Sequence, residues 1–139
     1  MTDLESAVAG LKEGYSVCLC RKGETFGRTG RGIAPLIELY DSGENFDSFS
    51  AADLIVGKAA AMIFKKLGVS AVYGEVMSEK GKALLEQSGI EASFGTLTEN
   101  IINRDGTDIC PMEKTVAEIE NADEGIKKLK EKLAQLRKQ

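Results

Sequence analysis

The chain contains no histidine among its 139 residues. That absence removes the commonest general base and the commonest zinc ligand, so any catalysis has to rest on other groups. Cysteine is sparse and odd in number, three in all, without the spacing of a disulfide framework, which points to a reducing cytosol. No apolar stretch follows a basic start, so a secretion signal is not expected. Basic residues do not prevail either. The formal net charge is -4, which argues against a general grip on nucleic acid, although a local basic patch stays open. No internal repeat and no low-complexity segment interrupts the chain. What is present is ordinary globular material, 42% hydrophobic and 29% charged, enough for a single domain over residues 1–139 with a real core.

The most apolar stretch is Ser50 to Gly68. Ser50 and Asp53 resemble a capping box, Gly68 sits where a left-handed residue ends a helix, and the residues between are apolar in nearly every direction. The pattern predicts one central helix from Ser50 to Gly68, buried on all sides. It is too short, and too interrupted by Asp53, Lys58, Lys65 and Lys66, to cross a bilayer.

Other elements follow from local signals. Thr2-x-x-Glu5 opens an amphipathic helix with Leu4, Val8 and Leu11 on one stripe, stopped near Gly14. Ser16 to Arg21 reads as an interior strand with Cys18 and Cys20 on one face. Lys22-Gly23-Glu24 turns it into a hairpin with Thr25 to Arg28. The two cysteines are either buried packing residues or soft metal donors, though a site built on them would be incomplete. Ile33 to Tyr40 reads as a helix with Pro35 in its first turn. Ser70 to Met77 is a second buried strand, and Glu75 within it either emerges into solvent or points into a pocket. Ser78 caps a helix to Gln87 whose Ala83, Leu84 and Leu85 face inward. Glu91 to Leu97 reads as a shorter, less regular strand, a candidate for a sheet edge. Pro111 starts a helix carrying Met112, Val116 and Ile119, and residues 121–139 form a C-terminal amphipathic helix seamed by Ile126, Leu129, Leu133 and Leu136. A hairpin followed by helical crossovers implies a three-layer α/β/α sandwich with a mixed sheet of about four strands.

Three places carry chemistry. Arg28, Gly30, Arg31 and Gly32 form a glycine-rich loop that can present backbone amides and two guanidinium forks to an anion; the alternative is a flexible polar loop. Asn103, Arg104 and Asp105 either contact a ligand or form a polar network that pins their loop. Cys110 falls at the N-cap of the Pro111 helix, a position at which a thiol can act as a nucleophile; the alternative is a small residue tucked under the loop.

The order of elements resembles the cytidine-deaminase-like fold. The strings G-R-G-I-A-P-L, A-D-L-I-V-G-K-A-A-A-M, Y-G-E-V-M-S and N-R-D-G-T-D-I-C-P-M-E are similar to a small, functionally uncharacterised prokaryotic family assigned to that fold. The resemblance runs from the first helix to about Glu113, with the C-terminal helix as an extension. Deaminases of the fold place His/Cys-Ala-Glu at one helix start and Pro-Cys-x-x-Cys at the next, directly after a strand, and so hold zinc and a proton-shuttling glutamate. The resemblance puts these near Val56-Gly57-Lys58 and Met77-Ser78-Glu79-Lys80-Gly81. Neither place has a cysteine or histidine, and Lys58 stands about where the glutamate would be. No metal ligand carries over, no cofactor is implied and zinc-dependent deamination is not expected.

Three readings follow. One is a cytoplasmic binder of a nucleotide-like or other anionic small molecule, using Lys58, Arg28, Gly30, Arg31, Gly32, Ser78, Asn103, Arg104 and Asp105. Another is a metal-independent enzyme in which Lys58, Glu75 or Cys110 does acid/base or covalent work. The third is a structural module that assembles as a homo-oligomer without a small ligand. None of them uses a membrane or nucleic acid.

Overall fold

In the computed structural model, which describes residues 1–138, eleven elements follow one another. They are α1 (Asp3–Lys12), β1 (Val17–Arg21), β2 (Glu24–Arg28), α2 (Ala34–Asp41), β3 (Ser50–Val56) and α3 (Lys58–Leu67). Then come β4 (Ala71–Ser78), α4 (Glu79–Gln87), β5 (Glu91–Thr98), α5 (Pro111–Val116) and α6 (Ala122–Arg137). The five strands form one sheet in the order β2-β1-β3-β4-β5, one strand more than the sequence pattern implies. β1 lies antiparallel to both β2 and β3, whereas β3, β4 and β5 are parallel.

The extra strand comes out of the stretch expected to be one central helix. Ser50 to Val56 is the middle strand β3, and only Lys58 to Leu67 is helical. A strand covered on both faces reads as a continuous apolar run, and periodicity cannot separate it from a buried helix of similar length. Ser50 and Asp53 therefore cap nothing: Ser50 pairs with Cys20 and Ala71, and Asp53 with Val17 and Gly74. Gly68 does end α3, at φ 75° with its N–H donated to the Phe64 and Lys65 carbonyls. That left-handed geometry is why glycine stands there.

Helices cover both faces. On one side α1 packs alone, with Ala7, Cys18, Cys20 and Ala52 buried and Val8, Leu11, Tyr15 and Tyr73 around them. Small residues let α1 approach closely. A Cβ on Gly10 would stand 2.6 Å from the Cys18 sulfur, well inside van der Waals contact. The other side carries the larger core, in which Leu19, Leu36, Leu39, Ala51, Val56, Ile63, Phe64, Val72 and Leu85 are among the buried members. Its full burial of α3 side chains such as Met62, Ile63 and Phe64 contributes about 1.5–3 kcal/mol each before entropy is counted. α6 lies across α3 and α5, burying Ile126 and Leu129 with Leu133 and Leu136 half-buried beside them.

Most local signals are realised. The Thr2–Glu5 capping box is made in both directions, Ser78 accepts from the Gly81 N–H, and Asn121 accepts from the Glu124 N–H. The hairpin turn is Lys22-Gly23, both at positive φ (47° and 86°), the geometry that two-residue hairpins favour. Three further details differ. α5 ends at Val116, so Ile119 packs against the core from the segment beyond the helix. Ala83 faces solvent, because the inward line of α4 is Gly81 and Leu85, one helical repeat apart. β5 is not short: at eight residues it equals β4, and it is the sheet edge. The end of the expected C-terminal helix, residue 139, lies outside the described residues.

Candidate functional site

The carboxyl ends of β3 and β4 lie side by side, with Val56 paired to Met77, and each strand feeds a helix at once. The resulting helix starts touch. A Cβ on Gly81, in the first turn of α4, would lie 2.9 Å from the Val56 carbonyl oxygen and 2.9 Å from the Gly57 carbonyl carbon. Only glycine fits so close to fixed backbone.

The two helix starts are satisfied by different means. α4 has a local cap, the Ser78 hydroxyl accepting from Gly81 N–H at 3.0 Å. α3 begins at Gly57, which has no side chain to offer. Its orphan amides are met by Glu113, from the first turn of α5: Lys58 N–H donates to Oε1 at 2.8 Å and Ala59 N–H to Oε2 at 3.0 Å. A Cβ on Gly57 would collide with that carboxylate. A carboxylate on the first amides of a helix is favoured both by hydrogen bonding and by the helix dipole. The contact is returned. Lys58 Nζ donates to the Ala117 carbonyl at the end of α5, at 3.2 Å, and lies 3.7 Å from Glu120. With its side chain only 13% exposed, Lys58 is a tie between α3 and α5.

Around this clamp is a cavity of about 70 Å³. Its walls bring Lys58, Lys80 and Lys114 together with Ser78, Glu99 and Glu113. Sequence reasoning found Lys58 and Ser78 but missed Glu113, Lys80, Lys114 and Glu99. An acid in the first turn of a helix ordinarily serves that helix's own dipole, and nothing local to Glu113 marks it as the cap of another.

The remaining sequence candidates lie elsewhere. Arg28 lines a wider groove of about 410 Å³ between α2 and α6, together with Arg137, Glu38 and Asp41. Gly30 and Gly32 have positive φ, and the Gly30 carbonyl accepts from the Ser16 hydroxyl at 2.7 Å; Arg31 is exposed. Glu75 is exposed and accepts from the Tyr73 hydroxyl at 2.8 Å. That hydrogen bond holds the phenol proton, raising the Tyr73 pKa. Asn103 braces its own loop, its carbonyl accepting from Thr107 N–H at 3.0 Å, while Arg104 and Asp105 are exposed at the tip. Cys110 is the half-buried N-cap of α5 and makes no side-chain cap bond.

Two buried groups stand apart from the cavity. Burial pushes the Asp53 carboxyl up to about 8, with the Ile55 and Leu54 amides pulling the other way. Burial, with Cys20 adding to it, pushes the Cys18 thiol up to about 12; its sulfur is 3.9 Å from that of Cys20.

The residues present do not fit a zinc ion. The starts of α2, α3 and α4 read Ile33-Ala34-Pro35, Gly57-Lys58-Ala59 and Ser78-Glu79-Lys80, without a thiolate or imidazole in any register. Cys18 and Cys20 are under α1 and Cys110 belongs to α5. The amides of α3 are taken by Glu113.

Residues 7–133 match the family model TM1506, a domain of unknown function (DUF1893). The crystal structure of a DUF1893 family protein (TM1506) from Thermotoga maritima is 25% identical, covers 95% of this chain and 91% of that one, and superposes with a TM-score of 0.85. The apo dCMP deaminase from the cyanophage S-TIM5 is 14% identical over 66% of this chain and 92% of that one, with a TM-score of 0.47. A Thermotoga maritima diaminohydroxyphosphoribosylaminopyrimidine deaminase/5-amino-6-(5-phosphoribosylamino)uracil reductase is 11% identical over 81% of this chain and 39% of that one, with a TM-score of 0.45. No curated protein matches.

Proposed function

The chain belongs to the DUF1893 family, a domain of unknown function, and on that premise we propose that it binds the anionic group of a small molecule where α3 and α4 begin. The observation that carries this reading is that Lys58, Lys80 and Lys114 all line one small cavity between two helix starts. One of those starts already holds a carboxylate on its amides. The helix dipoles and the Lys80 ammonium favour anions as a class rather than one compound, while the first amides of α3 stay with Glu113 and the Lys58 and Lys114 ammonium groups are shared with the Ala117 carbonyl and Asp108.

Size narrows the ligand. Small-molecule sites usually enclose about 300–1,000 Å³, whereas this cavity holds about 70 Å³, room for a phosphate or carboxylate group but not for a nucleoside. A nucleotide-like ligand would insert its phosphate and leave its base and sugar outside. Glu99 and Glu113 limit the net positive charge, so affinity depends on ionic strength and falls as salt screens the lysines.

The test is a thermal-shift and titration-calorimetry panel of phosphate, pyrophosphate, citrate and nucleoside mono- and triphosphates at low salt. A ligand present at about 100 times its Kd stabilises by about 2.7 kcal/mol, a shift of several degrees. We expect one or more members of the panel to raise Tm, and Lys80→Ala and Lys114→Ala to reduce the rise. If no anion shifts Tm at about 10 mM, a concentration at which even a weak site with Kd near 1 mM stabilises measurably, the reading is wrong.

A further inference from the structure

The two edges of the sheet are built differently. β2 is five residues long, carries Glu24 and Arg28 at its ends, and turns Phe26 inward against Phe46 and Phe49 at centroid distances of 5.1 and 6.0 Å. β5 is eight residues long, E-A-S-F-G-T-L-T, with its one charge at Glu91 and no lysine, arginine or proline. It pairs with β4 along its whole length, from Ala71↔Glu91 to Ser78↔Thr98. Its other row of backbone groups has no strand partner among the described residues. Phe94 and Leu97 are 36% and 38% exposed, and neither belongs to an apolar cluster. Edge strands are ordinarily blunted by shortness, charge, proline or a covering element, because an open row of amides and carbonyls templates another strand. β2 has the first two devices. β5 has only the single charge of Glu91 at its start.

We propose that β5 is a dimerisation edge, on which a second copy of this chain adds its own β5 antiparallel and joins two five-stranded sheets into one. The sequence of β5 fits itself. A two-fold axis perpendicular to the sheet keeps each face on its own side, so only residues of like parity stand opposite one another. With the axis at Phe94, the phenylalanine meets its counterpart, Ser93 meets Gly95, Ala92 meets Thr96 and Glu91 meets Leu97. No like charges oppose. Shifting the axis to Gly95 keeps the overlap but sets Glu91 against Glu99 and separates the rings. Like charges directly opposite destabilise a strand pair, whereas an aromatic pair adds to it, so the Phe94 register is the one selected. A single pair of strands buries less than the roughly 1,200–2,000 Å² of a tight complex, so the dimer is weak and concentration-dependent.

Sedimentation equilibrium of the full chain over a range from about 1 μM to about 1 mM, the span expected for a weak interface, is the first measurement. The expected result is a monomer converting to a dimer, with association at least tenfold weaker in Phe94→Lys, which sets two ammonium groups face to face. Register is read by cross-linking in a Cys110→Ser background. Phe94→Cys oxidises to a covalent dimer, because directly opposed strand residues come within disulfide reach. Thr96→Cys does not, since its counterpart lies four residues along the strand, about 13 Å away. A chain that stays monomeric throughout overturns the proposal. So does a dimer that persists in Phe94→Lys, or one that cross-links at Thr96→Cys and not at Phe94→Cys.

Discussion

The β3–α3 and β4–α4 units are neighbours with the same plan, strand to helix with no loop between, yet they are stabilised by opposite strategies. β4–α4 looks after itself. Its acid, Glu75, stays at the surface on the Tyr73 hydroxyl, and its helix is capped by the adjoining Ser78. β3–α3 depends on the rest of the molecule. Its acid, Asp53, is buried between β1 and β4, and its helix is capped by Glu113 from 55 residues away. The difference follows from position. β3 is the middle strand, buried on both faces over Ser50 to Asp53, so its polar groups there meet protein instead of water. The candidate anion cavity lies between the two units, lined by Lys58 from one and by Ser78 and Lys80 from the other.

Three experiments would break or sharpen the contrast, beginning with the largest effect. Asp53 has a folded pKa raised to about 8 against an ordinary value near 4 in the unfolded chain. Between those values the folded state keeps a proton that the unfolded state has released. Stability from this group is therefore complete below about pH 4 and is lost as pH rises through about 8, by at most about 1.4 kcal/mol per pH unit. Urea melts from pH 5 to pH 9 should show that decline, and Asp53→Asn should flatten it. Equal slopes in the two proteins would mean that Asp53 is not buried as described.

Glu113→Ala comes next. It strips two first-turn amides of a charged acceptor, and hydrogen bonds to charged groups are worth about 1.5–3 kcal/mol. We expect a loss of about 2–3 kcal/mol in denaturant midpoint analysis, with Glu113→Gln recovering part of it. Ser78→Ala should do least, about 1 kcal/mol, the usual worth of a serine N-cap. If Ser78→Ala matched or exceeded Glu113→Ala, the division into a self-sufficient and a dependent unit would fail.

How much could be read in advance tracks how local each interaction is. The caps at Thr2, Ser78 and Asn121 were legible because donor and acceptor are three residues apart. The hairpin, the two faces of β1, the start of the helix at Pro111 and the helix from Asn121 were legible from similarly local signals, whereas the end of α5 at Val116, short of Ile119, was not. The stretch Ser50 to Gly68 was not, because Ser50 to Asp53 is buried on both faces while the adjacent Leu54 and Ile55 are both exposed, so β3 lacks the alternation that distinguishes strand from helix. Lys58 stands out in the sequence because it occupies about the place of the deaminase glutamate. The structure supplies its partner, a carbonyl at the end of α5. The resemblance of four strings of residues to a small, functionally uncharacterised family agrees with the DUF1893 match.

The sequence by itself determined the local grammar of this protein: where most helices start, where Gly68 stops one, where the hairpin turns, and that histidine chemistry is excluded. Tertiary structure alone decided that Ser50–Val56 is the middle strand, that Glu113 reaches the amides of α3, and that three lysines distant in sequence line one cavity. The physical reason is range. Turns and caps are fixed by hydrogen bonds between near neighbours, whereas the clamp between α3 and α5 exists only after the sheet has brought together residues more than fifty positions apart.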